Sequence, residues 1–292
     1  MSHKSGFVSI IGKPNVGKST LMNQMLGENL SIVTHKAQTT RHRIKGILNA
    51  DDYQVVFSDT PGILEPHYLL HSKMMEFVNS ALEDSDAVLF ITDLEEAYLD
   101  EQIAQKIKSI KVPVIVVINK VDLSTINEIN KLTHGWKKAI NPHAIIPTSA
   151  LTNFNLDKIL EAILDLLPDS PPYFDKDNLS DSTQRFFASE MIREKIFLHY
   201  DKEIPYSSEV GIEEFKDEKT IIRIRAVIYV ERNSQKAIVI GHRGEGLKRV
   251  GTEARKDMEK LFGKKVFLEL FVKVEENWRK RENVLKRFGY GR

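Results

Sequence analysis

Along the first 167 residues, segments with a strand-like pattern of apolar residues alternate with segments that have a helical pattern. Residues 7–11, 87–92 and 112–118 predict strands, and runs such as 114–118 are apolar without alternation, which is typical of strands buried on both faces. Between such runs, apolar residues recur at helical spacing, as in Leu69, Leu70, Met74, Phe77, Val78 and Leu82. The alternation predicts an α/β domain, a mostly parallel sheet with helices on both faces.

Further strands complete this predicted sheet. Residues 44–49 and 53–58 are joined by Ala50-Asp51-Asp52, a hairpin-type turn, and residues 144–147 form a last strand before a helix that ends near Leu167. Pro168-Asp169-Ser170-Pro171-Pro172 then breaks the pattern, and polar residues continue to Thr183. We therefore predict a first domain over 1–168, a linker over 169–184 and a second domain over 185–292.

The second domain shows a different pattern, typical of a smaller α+β fold. Residues 220–231 alternate over their middle and predict a strand with one basic or polar face. A short apolar stretch, 236–240, leads to Gly241-His242-Arg243-Gly244, and helical spacing follows to Gly263. Residues 266–274 predict a last strand, and residues 277–288 a basic final helix.

Composition excludes several classes of protein. The 292 residues contain no cysteine, which excludes disulfides and thiolate metal sites. No apolar run approaches the roughly 20 residues of a membrane-spanning helix. Residues 1–5 lead almost directly into the first strand, so we expect no signal or transit peptide and a cytoplasmic location.

The net charge of +1 conceals an asymmetry between the two halves. Residues 1–184 contain 17 Lys and Arg against 23 Asp and Glu, whereas residues 185–292 contain 25 against 18. From Lys219 onward the counts are 20 and 9, a net charge of +11. An acidic first half and a basic tail indicate two separate tasks, the second on a polyanion.

The most specific motif is G-x-x-x-x-G-K-[ST] at the end of the first strand. Its backbone N–H groups and the following helix N-terminus form an anion site for a nucleotide's phosphates. Lys18 would reach the β- and γ-phosphate oxygens, and Ser19 would ligate Mg²⁺. The motif and the residue that follows it are Gly12, Lys13, Pro14, Asn15, Val16, Gly17, Lys18, Ser19 and Thr20.

A second motif, Asp59-Thr60-Pro61-Gly62, follows the strand over 53–58. A carboxylate that leaves a buried strand beside the phosphate loop can hold Mg²⁺, usually through water. Gly62 can offer its N–H to the γ-phosphate, because no side chain crowds it. Alone the motif is a plausible turn, but behind a phosphate loop the functional interpretation is much stronger.

A third motif, Asn119-Lys120-Val121-Asp122, lies at the carboxyl end of a buried strand, where open α/β sheets bind ligands. The Asp122 carboxylate can accept hydrogen bonds from guanine N1–H and the 2-amino group, which adenine does not present. Asn119 can bond the ring and brace the loop, while the Lys120 stem covers the base. Ser149 and Ala150, after the last strand, can supply a backbone N–H to guanine O6.

These elements, in this order, resemble the translation-factor-like branch of the GTPase superfamily over residues 6–167. The resemblance implies hydrolysis of GTP to GDP and phosphate, with mobile loops at 31–43 and 63–73. Either Thr39 or Thr40 would close on Mg²⁺ and the γ-phosphate. The metal set is then Ser19, Thr40 and Asp59, and the residues expected to act in hydrolysis are Lys18, Thr40, Gly62 and Asn15.

Two positions bear on the rate of hydrolysis. Ras-like GTPases carry a glutamine after the motif glycine, whereas this chain has Ile63, which cannot orient a water. A slow intrinsic rate follows, with catalysis left to positioning and charge neutralisation. Asn15 resembles the asparagine of GTPases that bind K⁺ between the phosphates, which predicts stimulation by K⁺ over Na⁺.

The basic tail resembles a KH domain, because a G-x-x-G loop stands between an apolar stretch and a basic amphipathic helix. The order of elements, with strands before the motif and one after it, resembles the type II arrangement. A G-x-x-G loop clamps the backbone of single-stranded RNA, and neighbouring apolar residues line a groove for the bases. The RNA-binding residues expected on this basis are Val239, Ile240, Gly241, His242, Arg243, Gly244, Lys248, Arg249, Arg279, Lys280 and Arg281.

A GTPase domain followed by a type II KH domain resembles the Era family of bacterial GTPases over nearly the whole chain. The resemblance implies binding near the 3′ end of small-subunit ribosomal RNA, a role in small-subunit maturation, and peripheral association with the inner membrane. A monomer is the default expectation. Two alternatives stay open: an RNA chaperone with incidental hydrolysis, and a membrane-surface cell-cycle switch whose basic tail contacts anionic lipid.

Overall fold

Six strands of the amino-terminal half form one sheet in the computed structural model, which describes residues 3–94 and 101–291. Their order is β2-β3-β1-β4-β5-β6, and every neighbouring pair is parallel except β2 with β3. The strands are β1 (Lys4–Gly12), β2 (Ile44–Asn49), β3 (Tyr53–Asp59), β4 (Ala87–Thr92), β5 (Val114–Ile118) and β6 (Ala144–Pro147).

The described residues of this half form helices that cover the sheet: α1 (Lys18–Leu26), α2 (Leu69–Glu83), α3 (Glu101–Lys108), α4 (Ile126–Ile140) and α5 (Leu156–Leu166). Every residue of β4 and β5 is buried, as the continuous apolar runs predict. Alternate residues such as Val88 and Phe90 pack with α3 and α4 around Trp136. Their neighbours Leu89 and Ile91 face the opposite side of the sheet, because side chains alternate along a strand.

A second sheet has three strands in the order β7-β8-β9. β7 (Glu209–Asp217) is antiparallel to β8 (Ile221–Val230), which is parallel to β9 (Lys265–Val274). The helices of this half are α6 (Gln184–His199), α7 (Ile204–Ser207), α8 (Asn233–Ile240), α9 (Glu245–Phe262) and α10 (Glu282–Arg287). Ile192 and Ile196 of α6 and Val250 and Met258 of α9 pack on the sheet in a core of their own.

The contacts divide the chain into two units. The first comprises Met1–Ser31, Thr40–Glu65 and Met74–Asp181, and the second comprises Ile32–Thr39, Pro66–Lys73 and Ser182–Arg292. The two short segments of the second unit come from the loops that the sequence predicts to be mobile. Within the described ranges, every helix is too short or too polar to cross a membrane.

The segment predicted as a linker is bound to the first unit over most of its length. Ile47 of the edge strand β2 donates its N–H to the Leu179 carbonyl at 2.9 Å, and Lys45 pairs with Asp181 at 2.8 Å. Gln54 accepts the N–H groups of Tyr173 and Phe174 and donates to the Phe174 carbonyl. These bonds cover the open edge of the sheet, which would otherwise leave backbone groups unpaired.

The second half differs from its predicted elements at β7, at α8 and at the carboxyl terminus, and its helices α6 and α7 are not among the predicted elements. β7 has no counterpart in the prediction, and the apolar stretch 236–240 belongs to the helix α8. The predicted final helix over 277–288 is instead a 3₁₀ turn, Trp278–Lys280, followed by α10. Trp278 is fully buried and donates its indole N–H to the Ser207 carbonyl at 2.8 Å, which interrupts a regular helix.

Candidate functional site

The phosphate loop joins β1 to α1 with the geometry that its glycines predict. Gly17 precedes α1 with φ of 97°, and a Cβ there would overlap the side-chain amide of Asn119. Val16 is buried, whereas Asn15 is exposed with φ of 65°. The loop therefore presents its backbone at the N-terminus of α1, where unpaired N–H groups attract an anion.

Lys18 is buried beneath this loop. Its ammonium donates a 2.7 Å hydrogen bond to the Lys13 carbonyl. Burial lowers the pKa of Lys18 to about 8, although the nearby Asp59 carboxylate partly opposes that shift. A buried ammonium has lost its hydration, so an anionic ligand stabilises it strongly. Binding of a phosphate is the expected role of this lysine.

Ser19, Thr40 and Asp59 bring three oxygen-bearing side chains together. Ser19 Oγ donates to Asp59 Oδ2 at 2.6 Å and lies 2.9 Å from Thr40 Oγ1, which in turn lies 3.4 Å from Asp59 Oδ2. The other carboxylate oxygen, Asp59 Oδ1, is buried and accepts no hydrogen bond from the described residues. Burial raises the pKa of Asp59.

This cluster fits Mg²⁺, which prefers hard oxygen ligands in octahedral geometry and binds through few carboxylates. Residues 3–94 and 101–291 contain no cluster of three His, Cys, Asp or Glu side chains that could hold a metal on its own. A cation here would therefore complete its shell with phosphate oxygens and water. The orphaned Asp59 oxygen is the group that such a cation would satisfy.

The structure also distinguishes the two adjacent threonines. Thr40 contacts Ser19 and Asp59, whereas Thr39 Oγ1 donates to the Lys36 carbonyl at 2.7 Å and lies 3.0 Å from Thr34 Oγ1. Of these two hydroxyl groups, one reaches the cluster and the other bonds within its own loop. Thr40 is that residue.

The second motif follows β3 closely. Thr60 Oγ1 donates to the Ile10 carbonyl at 2.8 Å, and the Ile63 N–H donates to the Gly12 carbonyl at 3.0 Å. Gly62 lies against Pro14, where a Cβ would come within 2.7 Å of the proline backbone. The Ile63 side chain packs against the core around Trp136, so it cannot orient a water.

Asn119 connects the base-binding loops to the phosphate loop. Its side-chain N–H donates to the Val16 carbonyl at 2.8 Å, and its side-chain oxygen accepts the Ala150 N–H at 2.9 Å. The Ser149 N–H donates to the Phe154 carbonyl. Both backbone donors predicted for guanine O6 are thus engaged by the protein, so a base must share or replace the Asn119 oxygen at Ala150.

The remaining residues of this loop surround an open surface. Asp122 is exposed in a 3₁₀ turn, Val121–Leu123, where its carboxylate is accessible to a base. Lys120 has φ of 61° and pairs with Asp93 at 2.6 Å. Asp93 belongs to none of the three sequence motifs, and its position directly after the buried strand β4 is the signal that indicates it.

The G-x-x-G loop separates α8 from α9. Gly241 and Gly244 have φ of 73° and 81°, and His242 and Arg243 between them are exposed. The Tyr200 hydroxyl donates to the Val239 carbonyl at 2.7 Å and so fixes the end of α8. Lys248 and Arg249 are exposed on the first turns of α9. The loop thus offers glycine backbone and several cations to a phosphate chain.

Val239 and Arg279, two of the expected RNA-binding residues, are engaged within the second unit rather than presented to solvent beside the loop. Val239 is fully buried in the core of the second unit and cannot line a groove, because the inward face of α8 covers the sheet. Ile240 is half-buried, whereas Ile238, which is not among the expected residues, is 51% exposed on α8. Arg279 is paired with Glu231, and its guanidinium lies 5.0 Å from the centre of the Tyr68 ring.

The last two expected RNA-binding residues, Lys280 and Arg281, are exposed. Arg281 pairs with Glu275 at 2.6 Å. A solvent-accessible ion pair of this kind contributes little free energy, so a phosphate can compete for Arg281. Lys280 is accessible to a phosphate as well.

Comparisons with known proteins agree with both sites. Residues 7–120 match the family described as "50S ribosome-binding GTPase", and residues 203–279 match the family described as "KH domain". The chain is 43% identical over 291 residues to GTPase Era of Staphylococcus haemolyticus (strain JCSC1435), which covers 99% of this chain and 97% of that protein.

Two crystal structures are similar along the whole chain. One is Era in complex with MgGDPNP and nucleotides 1506–1542 of 16S ribosomal RNA, with a TM-score of 0.95 and 40% identity over 99% of this chain and 100% of that chain. The other is a variant of Aquifex aeolicus Era bound to GDP·AlF4⁻, with the same TM-score, identity and coverage. The similarity therefore extends over the nucleotide pocket and the G-x-x-G loop alike.

Proposed function

We propose that this chain, which belongs to the Era family of GTPases, is a GTP-driven switch that binds small-subunit ribosomal RNA near its 3′ end. GTP hydrolysis with Mg²⁺ comes with membership of the family. The observation that supports the RNA target is the 0.95 TM-score to an Era structure that holds MgGDPNP and nucleotides 1506–1542 of 16S ribosomal RNA. We further propose that the switch acts in maturation of the small ribosomal subunit.

The residues of the pocket explain how this chain handles GTP. Lys18 and the N-terminus of α1 hold the phosphates, while Ser19, Thr40 and Asp59 would hold Mg²⁺. When bound, the metal neutralises the charge that develops on the transferred phosphoryl group. Since the Ile63 side chain is aliphatic and packs against the core, the described pocket residues supply positioning and charge rather than a base. A slow intrinsic rate follows from this arrangement.

Potassium would supply one further charge. Asn15 is exposed on the phosphate loop, and a side-chain amide oxygen is a group that can coordinate K⁺. A K⁺ ion held there would stabilise the charge between the β- and γ-phosphates. GTP hydrolysis should therefore be faster in KCl than in NaCl, and Asn15→Asp should alter that ratio. Equal rates in the two salts would contradict this part of the proposal.

The second unit supplies the RNA contacts. Exposed cations at Arg243, Lys248 and Arg249 adjoin glycine backbone that a phosphate can approach. Clamping of single-stranded RNA by a G-x-x-G loop leaves the bases free for recognition in the neighbouring groove. Because phosphate contacts dominate the free energy of binding, the affinity should fall steeply as salt rises.

A binding experiment tests this function. Labelled single-stranded RNA that ends in the small-subunit 3′ sequence is titrated with protein loaded with a non-hydrolysable GTP analogue or with GDP, at several salt concentrations. We expect tight, salt-dependent binding that differs between the two nucleotides and weakens in Gly244→Asp. Equal affinity in both states would favour a constitutive RNA chaperone, and absence of binding would refute the RNA target.

Location and oligomeric state complete the proposal. We propose a cytoplasmic monomer that associates peripherally with the cytoplasmic face of the inner membrane, and the basic tail supports this by its attraction to anionic lipid. Co-sedimentation with vesicles that contain anionic lipid, compared with neutral vesicles, tests the membrane association. Light scattering during size-exclusion chromatography tests the monomer.

A further inference from the structure

Asp93 and Lys120 form an ion pair at the edge of the sheet where the base is expected. Asp93 directly follows β4, and Lys120 is the second residue after β5. The two strands are parallel neighbours, and the Asn119 N–H donates to the Thr92 carbonyl at 2.8 Å, which brings their ends together. Lys120 Nζ then lies 2.6 Å from Asp93 Oδ2.

The two partners differ in their exposure to solvent. The Asp93 side chain is 4% exposed and that of Lys120 is 30% exposed, so the acid is anchored inside while the lysine extends over the surface. Exposed ion pairs contribute little, because water screens them and two flexible chains must be ordered. A buried carboxylate is different, since it requires a partner to offset its lost hydration.

The ion pair fixes the far end of a side chain whose near end is already constrained. Lys120 adopts φ of 61° and ψ of 32°, a left-handed conformation that is uncommon for lysine. With its Cα held by that turn and its ammonium held by Asp93, the four-carbon stem has few remaining conformations. It can therefore present its methylene groups to the face of a base without further loss of entropy.

We infer that Asp93 is a positioning residue for guanine-nucleotide binding, which orders the Lys120 stem as one wall of the base site. Asp93 acts through Lys120 and makes no contact with the phosphates. The stem contacts the face of the base and does not read its edge. Loss of Asp93 should therefore weaken the binding of every purine nucleotide by a similar factor, while Asp122 continues to discriminate among bases.

A double-mutant cycle tests this role. The dissociation constants of labelled GDP and IDP are measured for the unaltered chain, Asp93→Asn, Lys120→Met and the double variant. We expect Asp93→Asn to weaken both nucleotides by about tenfold, the effect of releasing one flexible side chain. The double variant should bind no more weakly than Lys120→Met alone, because the two residues act as a unit.

Asp86→Asn provides a matched control. Asp86 precedes the same strand at its opposite end, where its carboxylate accepts the Phe7 N–H at 2.8 Å. This substitution should lower the melting temperature of the protein without weakening the binding of GDP. Additive effects of Asp93→Asn and Lys120→Met, unchanged GDP affinity in Asp93→Asn, or a changed ratio of GDP to IDP affinity would overturn the inference. The positioning role rests on the proposed nucleotide site, but GTP hydrolysis and the proposed RNA binding would stand if Asp93 had no such role.

Discussion

Asn119 donates a 2.8 Å hydrogen bond from its side-chain amide to the backbone carbonyl of Val16, and so ties the end of β5 to the phosphate loop. The same side chain accepts the Ala150 N–H from the loop after β6. One amide therefore connects three loops of the pocket, two of which also share a bond from the Val121 N–H to the Thr148 carbonyl. The arrangement orders the pocket before a nucleotide enters it, which reduces the entropic cost of binding.

Replacement of Asn119 by alanine should weaken the binding of GDP by about 10- to 100-fold, because the Val16 carbonyl and the Ala150 N–H lose their partner. Isothermal titration measures this directly. Asn23→Ala is the control, since Asn23 is also a buried amide that braces a loop, through Leu30 and Ser31, away from the base. Asn23→Ala should lower stability alone. A similar loss of GDP affinity in both variants would contradict the connecting role.

Thr40 and Thr39 should behave differently despite their adjacency. Thr40→Ala removes a hydroxyl that contacts Ser19 and Asp59, so the Mg²⁺ concentration for half-maximal hydrolysis should rise and the rate should fall by roughly 10- to 1,000-fold. Thr39→Ala removes contacts with Thr34 and Lys36 only. Mg²⁺ titrations of GTP hydrolysis compare the two. A larger effect in Thr39→Ala would reverse the assignment.

Nucleotide binding should take up a proton through Lys18. In the free protein its pKa is about 8, so the side chain becomes neutral as the pH rises past that value. Phosphates favour the ammonium, and the bound form therefore holds a proton that the free form has lost. GDP affinity should fall between pH 8 and about pH 9.

Calorimetry detects the same proton. Titrations of GDP around pH 8.5 in buffers of different ionisation enthalpy should reveal uptake of a large fraction of one proton. At about pH 7 the lysine is already charged in both states, so its uptake should vanish there. Proton release, or no dependence on the buffer, would contradict the role of Lys18.

The two glycines of the G-x-x-G loop should differ in their tolerance of a side chain. A Cβ at Gly241 would lie 2.8 Å from the Gly246 nitrogen, whereas a Cβ at Gly244 would meet no atom within 4 Å. Gly241→Asp should therefore lower the free energy of unfolding by about 2 kcal/mol or more, and Gly244→Asp by about 1 kcal/mol.

Gly244 is thus the position at which to test RNA binding. Gly244→Asn is the matched control, because it tolerates the same backbone and adds no negative charge. RNA should bind the asparagine variant more tightly than the aspartate variant, since only the carboxylate repels phosphate. Denaturant unfolding and RNA titration of the variants separate the two effects. Equal RNA affinity would place the phosphate chain away from this loop.

The amino-acid sequence predicts where the strands of the first unit lie along the chain and the phosphate and guanine motifs, because these depend on local runs of apolar residues and on fixed spacings. β7 escapes prediction, since Glu213, Glu214, Lys216 and Asp217 interrupt its apolar pattern. Residues 238–240, Ile-Val-Ile, suggest an extended stretch, yet packing of Val239 into the core keeps them helical. Tertiary contacts override local preference at both places.

Other features depend on side-chain direction, which spacing alone does not specify. Thr39 and Thr40 are equivalent in the sequence, and only the course of the backbone points Thr40 at Asp59. The polar segment 173–181 suggests a free linker, but its bonds follow the edge of β2. Asp93 belongs to no motif, and the pairing of β4 with β5 is what brings it to Lys120.

A GTP-driven switch that binds RNA through the G-x-x-G loop should change its rate of GTP hydrolysis when the RNA binds. The most direct test is the rate of GTP hydrolysis with and without single-stranded RNA that ends in the small-subunit 3′ sequence, measured for the unaltered chain, Gly244→Asn and Gly244→Asp. We predict that RNA stimulates the unaltered chain and Gly244→Asn, and that the stimulation is lost in Gly244→Asp. Absence of any RNA effect, or equal stimulation of all three proteins, would contradict the account.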